Sequence, residues 1–170
     1  MLDRIDFEPV FFAPFVASAM KVESEWVDYN GHLNVAYYTL IFDRAADEAL
    51  CLLGLGPAYA ARRGASFFTA ECHVRYLREL APNAPVRAAL RLVDYDEKRL
   101  HVFQTLHHAT EGWVAATCEQ MLLHVDLGSR HVVPFPDDVL ERIATMRAAH
   151  ASLPPPDGIG RKVNMPATRS

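Results

Sequence analysis

The sequence predicts an α+β fold in which a curved antiparallel sheet wraps around one long central helix. Three observations carry that expectation. The stretch Val35–Leu53 has the length of a long helix and is apolar around most of its circumference. After Gly64 the pattern changes to the period of two that marks strands. The later strands are joined by the short polar links Asp96-Glu97 and Glu111-Gly112, which suit antiparallel hairpins.

The elements follow in order. Val10–Val22 reads as a first strand, with Pro14 at its entry or edge because proline cannot donate to a central ladder. A loop at Trp26–Asn34 leads into the helix. Its polar residues Asp43, Arg44, Asp47 and Glu48 are i,i+4 neighbours that form one narrow stripe, and Gly54 or Gly56 before Pro57 ends it. Phe68, Ala70, Cys72, Val74 and Tyr76 then alternate with Phe67, Thr69, Glu71, His73 and Arg75. The turn Ala81–Pro85 precedes strands at Val86–Tyr95, Lys98–Thr110 and Trp113–Leu127. Pro134 and Pro136 break the chain, and Asp137–His150 reads as a second helix. Residues 1–150 are thus expected to form a single domain, and 151–170, with Pro154-Pro155-Pro156, a loosely ordered tail. A sheet wrapped on one apolar helix is the hotdog arrangement. One sheet edge and one side of the helix remain uncovered, so a homodimer with a continuous sheet, or a dimer of dimers (a homotetramer), is the expected unit.

Composition narrows the function. With 170 residues, 51% hydrophobic, the chain can bury a sizeable core. The net charge of −4 and the absence of any Lys/Arg run longer than two argue against a nucleic-acid partner. The acidic N-terminus lacks a signal-peptide h-region and no apolar run reaches membrane-spanning length, so a cytoplasmic location without a membrane partner is expected. Cys51, Cys72 and Cys118 lack CxxC spacing and read as buried free thiols, and no metal site is implied by the scattered histidines.

The chemistry concentrates in Asp28-Tyr29-Asn30-Gly31-His32-Leu33-Asn34. One carboxylate and a glycine turn stand just before a helix N-terminus, where unpaired N–H groups and the helix dipole favour developing negative charge. An acid or base beside an oxyanion site is what acyl transfer needs. Asp28 is the candidate catalytic group, against the plainer reading of a cap or Asx turn. Gly31 supplies a backbone conformation that side chains forbid, and amides from about His32 to Tyr37 are the candidate oxyanion donors. Each well-placed donor is worth about 3 kcal/mol. Asn34 is placed to cap the helix, and His32 is a loop organiser or a base.

Taken with Tyr38 and Asp43, this pattern resembles the hotdog thioesterases of the 4-hydroxybenzoyl-CoA type. The resemblance covers about residues 15–130 and implies that Asp28 acts as nucleophile on a thioester carbonyl or as base for water. Asp43 stands at that family's acidic helix position, where Glu is more usual. Three segments read together, Trp26–Asn34, Lys98–His101 and Glu119–Asp126, narrow the resemblance to the betainyl-CoA thioesterases of carnitine breakdown. A quaternary ammonium acyl group would favour aromatic contacts. Trp26, Tyr29, Tyr37, Tyr38, Phe67 and Phe68 are the candidates for these, against core packing, which accounts for most of them; Trp26 and Tyr29, on the loop, are foremost. Asp43 and Glu71 are candidates to line a site between subunits, and Arg130, Arg75 or Arg99 to meet CoA phosphates. The resemblance implies no separate cofactor, since coenzyme A is part of the acyl-CoA substrate. Two competing functions are an enoyl-CoA hydratase, whose DxNPxH-like loop Asp28–His32 resembles superficially, and a non-catalytic acyl-CoA-binding module.

Overall fold

A computed structural model describes residues 11–165. The elements are β1 (Phe15–Val16), β2 (Met20–Lys21), a 3-10 turn (Ser24–Trp26), α1 (Val35–Leu52), α2 (Pro57–Arg63), β3 (Ala65–Tyr76), β4 (Pro85–Tyr95), β5 (Arg99–His108), β6 (Val114–Asp126) and α3 (Asp137–His150). The strands form one antiparallel sheet in the order β1-β4-β5-β6-β3, with β2 also on β4, so β3 is an edge strand.

The hairpins fall where the period-two pattern and the polar links put them. The expected first strand is instead two short pieces, both paired to β4, because the chain leaves the ladder between them at Ser18, whose amide donates to Glu48 Oε2 instead; Val10 lies outside the described residues. The second departure is α2, which the sequence reading treats as chain after the helix stop. Pro57 opens it without losing a needed donor, and Gly64 (φ +63°) closes it.

Helix α1 begins at Asn34, whose Oδ1 accepts from the Ala36 amide at 3.0 Å. It ends in a Schellman arrangement: the Leu55 amide donates to Leu50 O, and the Gly54 amide (φ +78°) donates to Cys51 O. Tyr38, Ile41, Phe42, Ala45, Ala46, Ala49 and Leu50 form its buried face. That face meets the concave side of the sheet at Val86, Ala88, Leu106, Ala116 and Cys118 in one half of the core. Farther along, Leu90, Leu92, Leu100, Val102 and Leu122 join the α3 residues Val139, Ile143 and Met146. Val35, Asp43, Arg44, Asp47 and Cys51 remain exposed, so this chain alone covers one side of α1 rather than most of it.

Cys118 is buried, but Cys51 and Cys72 are exposed, correcting the expectation of three buried thiols. Beyond α3 the chain crosses the convex face of the sheet. Arg91 donates to the carbonyls of Leu153 (2.9 Å) and Pro154, Arg75 faces Asp157 at 3.8 Å, and the Gly160 amide donates to Glu119 Oε2 at 2.7 Å. Those contacts run from β4 across to β3 and β6, so the segment through Gly160 is fixed to the sheet rather than loose.

Candidate active site

Trp26–Asn34 folds back on itself before α1 starts. The Asp28 amide donates to His32 O and the Gly31 amide to Asp28 O, both at 3.0 Å, while the Asn34 amide donates to Trp26 O at 2.9 Å. Gly31 makes the reversal at φ +84°, a region that favours glycine. Inside the turn, Asp28 Oδ1 accepts from the Asn30 amide at 2.8 Å. Asp28 is therefore an Asx-turn residue, and that bond fixes one carboxylate oxygen.

The Leu33 amide donates to Leu80 O at 2.9 Å and brings the segment after β3 against the loop. Between them lies a cavity of about 300 Å³ lined by Asp28, Asn30, His32, Leu33, Val35 and Tyr38 on one side. Tyr76, Leu77, Arg78 and Glu79 line the other. His32 Nε2 is 3.2 Å from Glu79 Oε2, which makes His32 a bridge between the two segments. The Tyr38 ring is buried and meets Tyr76 edge to face with centroids 5.1 Å apart, and Tyr76 Oη donates to Val35 O at 3.4 Å. Burial pushes both phenols above their ordinary pKa, so both carry their protons at neutral pH.

Hydrogen bonds within the loop and the helix start narrow the candidate oxyanion donors. Of the amides between His32 and Tyr37, Leu33, Asn34, Ala36 and Tyr37 already bond to Leu80 O, Trp26 O, Asn34 Oδ1 and Asn34 O. His32 and Val35 remain as the candidates, and both residues line the cavity.

Other expected contacts lie elsewhere. Trp26 is buried, stacked on Tyr37 (5.5 Å) and covered by the Arg44 guanidinium at 5.2 Å, so neither aromatic reaches the cavity. Tyr29 is 98% exposed on the loop's outer side. Asp43 is exposed on α1 and does not line the cavity. Phe68 carries the Arg130 guanidinium 5.9 Å from its ring, and Arg99 is hydrogen-bonded to Asp96 at 2.6 Å. Glu71 belongs to a different cavity, of about 350 Å³, on the convex face with His73, His101 and Glu119. His101 and Glu119, from two of the segments that narrowed the resemblance, are paired there at 2.8 Å. That gives His101 the carboxylate partner that sequence spacing does not reveal. His124 is buried; Nδ1–H donates to Val133 O (2.9 Å), so Nε2 accepts from Tyr59 Oη (2.9 Å).

The geometry supplies a fixed carboxylate, helix-start amides and neutral phenols. Burial and the neighbouring Cys72 push the Cys118 thiol up to about 12, which withholds a thiolate nucleophile. Among the described residues no group of three His, Cys, Asp or Glu side chains is arranged to hold a metal, and no helix is long and apolar enough to cross a membrane.

Residues 22–143 match the model of the thioesterase-like superfamily. The chain belongs to that superfamily. Thioester hydrolysis is accordingly its class of reaction, and the hotdog fold is shared with the superfamily's solved structures. Over 145 residues it is 41% identical to a betainyl-CoA thioesterase of Pseudomonas aeruginosa, covering 85% of this chain and 91% of that one. It is also 41% identical over 143 residues to the L-carnitine dehydrogenase/betainyl-CoA thioesterase of Rhizobium meliloti, covering 84% of this chain but 29% of that longer protein. Among solved structures, a Staphylococcus aureus protein in complex with CoA superposes with a TM-score of 0.84 at 29% identity, covering 94% of this thioesterase-like chain and 99% of its own. A putative thioesterase of Pseudomonas putida superposes with a TM-score of 0.80 at 36% identity, with coverages of 92% and 99%.

Proposed function

We propose that this chain hydrolyses a short, polar acyl-CoA, with betainyl-CoA the favoured substrate, and that Asp28 is its catalytic carboxylate. The observation that carries the reading is the Asp28 side chain, pinned by the Asn30 amide inside a cavity that also holds the first residues of α1. The P. aeruginosa relative supports the substrate, and the CoA complex of the S. aureus protein supports the carrier.

Either attack by the unpinned Asp28 oxygen on the thioester carbon or removal of a proton from water puts negative charge on the carbonyl oxygen. The amides of His32 and Val35 receive that charge. In the first case an acyl-enzyme anhydride forms and CoA thiolate leaves before water completes hydrolysis. In the second, water adds directly as Asp28 takes its proton, and the tetrahedral intermediate then expels CoA thiolate.

The test is an acyl-CoA panel followed with a thiol reagent. Asp28→Asn keeps the Asx-turn acceptor but loses the charge, so kcat/KM is expected to fall by at least about 100-fold. Near-full activity in that variant overturns the mechanism. A wild-type enzyme that prefers acetyl-CoA or butyryl-CoA over betainyl-CoA overturns the substrate.

A further inference from the structure

Glu79 enters the active-site cavity from a segment that no motif marks. It lines the same space as Asp28, and its Oε2 lies 3.2 Å from His32 Nε2. Glu79 thus sets a carboxylate against the imidazole at one wall of the cavity. Arg78, the arginine of the lining, has its guanidinium over the Trp113 ring, 4.0 Å from the centroid, and is engaged there. Beside Glu79 stands Tyr76, whose side chain is half exposed and whose phenol keeps its proton, so the ring offers a neutral π-face.

A quaternary ammonium has no N–H to donate. It is recognised by diffuse attraction to a carboxylate and by contact with ring faces, which is what Glu79 and Tyr76 present. We propose that Glu79, together with the open ring of Tyr76, forms the subsite that reads the positive charge of the acyl group. The aromatic contacts expected from Trp26 and Tyr29 are thereby replaced, since one is buried and the other points out. This assignment rests on the betainyl-CoA reading given above.

The test pairs betainyl-CoA with 3,3-dimethylbutanoyl-CoA, which has carbon in place of the ammonium nitrogen and the same shape. Wild-type enzyme is measured first. A clear preference for the cation supports the substrate reading, and equal kcat/KM for the two acyl groups overturns that reading and this subsite together. Glu79→Gln is then expected to lower the ratio of kcat/KM values, cationic over neutral, about tenfold, chiefly through KM. Glu79→Asp, which keeps the charge, is expected to retain most of the ratio. A wild-type preference that survives Glu79→Gln overturns the Glu79 assignment alone. So does an equal loss on both substrates, which would make Glu79 a positioning residue for His32.

Discussion

On the proposed mechanism Asp28 combines two roles that first present themselves as rivals. Its Oδ1 accepts the Asn30 amide, so it is the turn residue that the plainer reading describes. That same bond removes rotational freedom from the carboxylate, which is what a positioned base or nucleophile needs. Gly31 makes the arrangement possible at φ +84°, and a Cβ there would meet nothing within 4 Å. Gly31→Ala therefore costs backbone strain alone, about 1–2 kcal/mol. We expect a matching loss in urea unfolding, with kcat falling more than KM rises because the turn aims Asp28 and the His32 amide. Unchanged stability and rate would show that the turn tolerates a side chain. At this scale the loop that holds Asp28, Gly31 and His32, with Tyr38 one turn into the helix, is legible from one local stretch. Tyr76 and Glu79 are not, because they arrive from nearly fifty residues downstream through the Leu33–Leu80 hydrogen bond. Local spacing carries no trace of that contact.

Helices α1 and α3 and the three hairpinned strands β4, β5 and β6 announce themselves through length, period and punctuation. The seven-residue α2 does not, since two turns are too short for a periodic signal. The end of α3 is fixed by a residue whose importance is equally silent in sequence. His150 is fully buried; its Nδ1 accepts from the Leu92 amide on β4 at 2.9 Å, and its Nε2–H donates to Phe12 O at 2.8 Å. That pattern requires the neutral ring. Burial is the main cause that holds its pKa below the ordinary histidine value, with Arg91 and Arg147 adding to it against the Phe12 bond. The unfolded chain therefore binds this proton more readily than the folded one. The stabilisation is complete above the unfolded value, about pH 6.5, and is lost as pH falls through it toward the lower folded value. Urea unfolding from pH 7.5 to 5.5 is expected to show a stability loss that His150→Leu reduces by up to about one proton's worth, about 1.4 kcal/mol per pH unit. An identical slope in the variant would locate the acid sensitivity in other groups.

At the scale of the whole molecule, the chain leaves its sheet unfinished. β3 is the edge strand beyond β6, and Cys72 and Tyr76 on it are exposed, as is Leu77 just after it. A β-bulge between Thr69 and Glu71 divides the strand into two regular portions, Ala65–Thr69 and Glu71–Tyr76. An edge strand of this kind is a template for another strand. Pairing β3 with β3 of a second copy would continue the sheet and place the second copy beside Tyr76 at the cavity mouth. Light scattering is therefore expected to give a mass of at least about 38 kDa, twice the 19.0 kDa of the chain. Cys72→Arg puts a charge on that edge at an exposed position, so the folded monomer tolerates it while a close contact between copies does not. The variant is expected to elute as a folded 19.0 kDa species with reduced thioesterase activity. A wild-type monomer would refute the pairing, and a Cys72→Arg protein that keeps the doubled mass would move the interface off β3. Loss of activity together with mass would tie the cavity at Tyr76 to the second copy, because Cys72 itself does not line it.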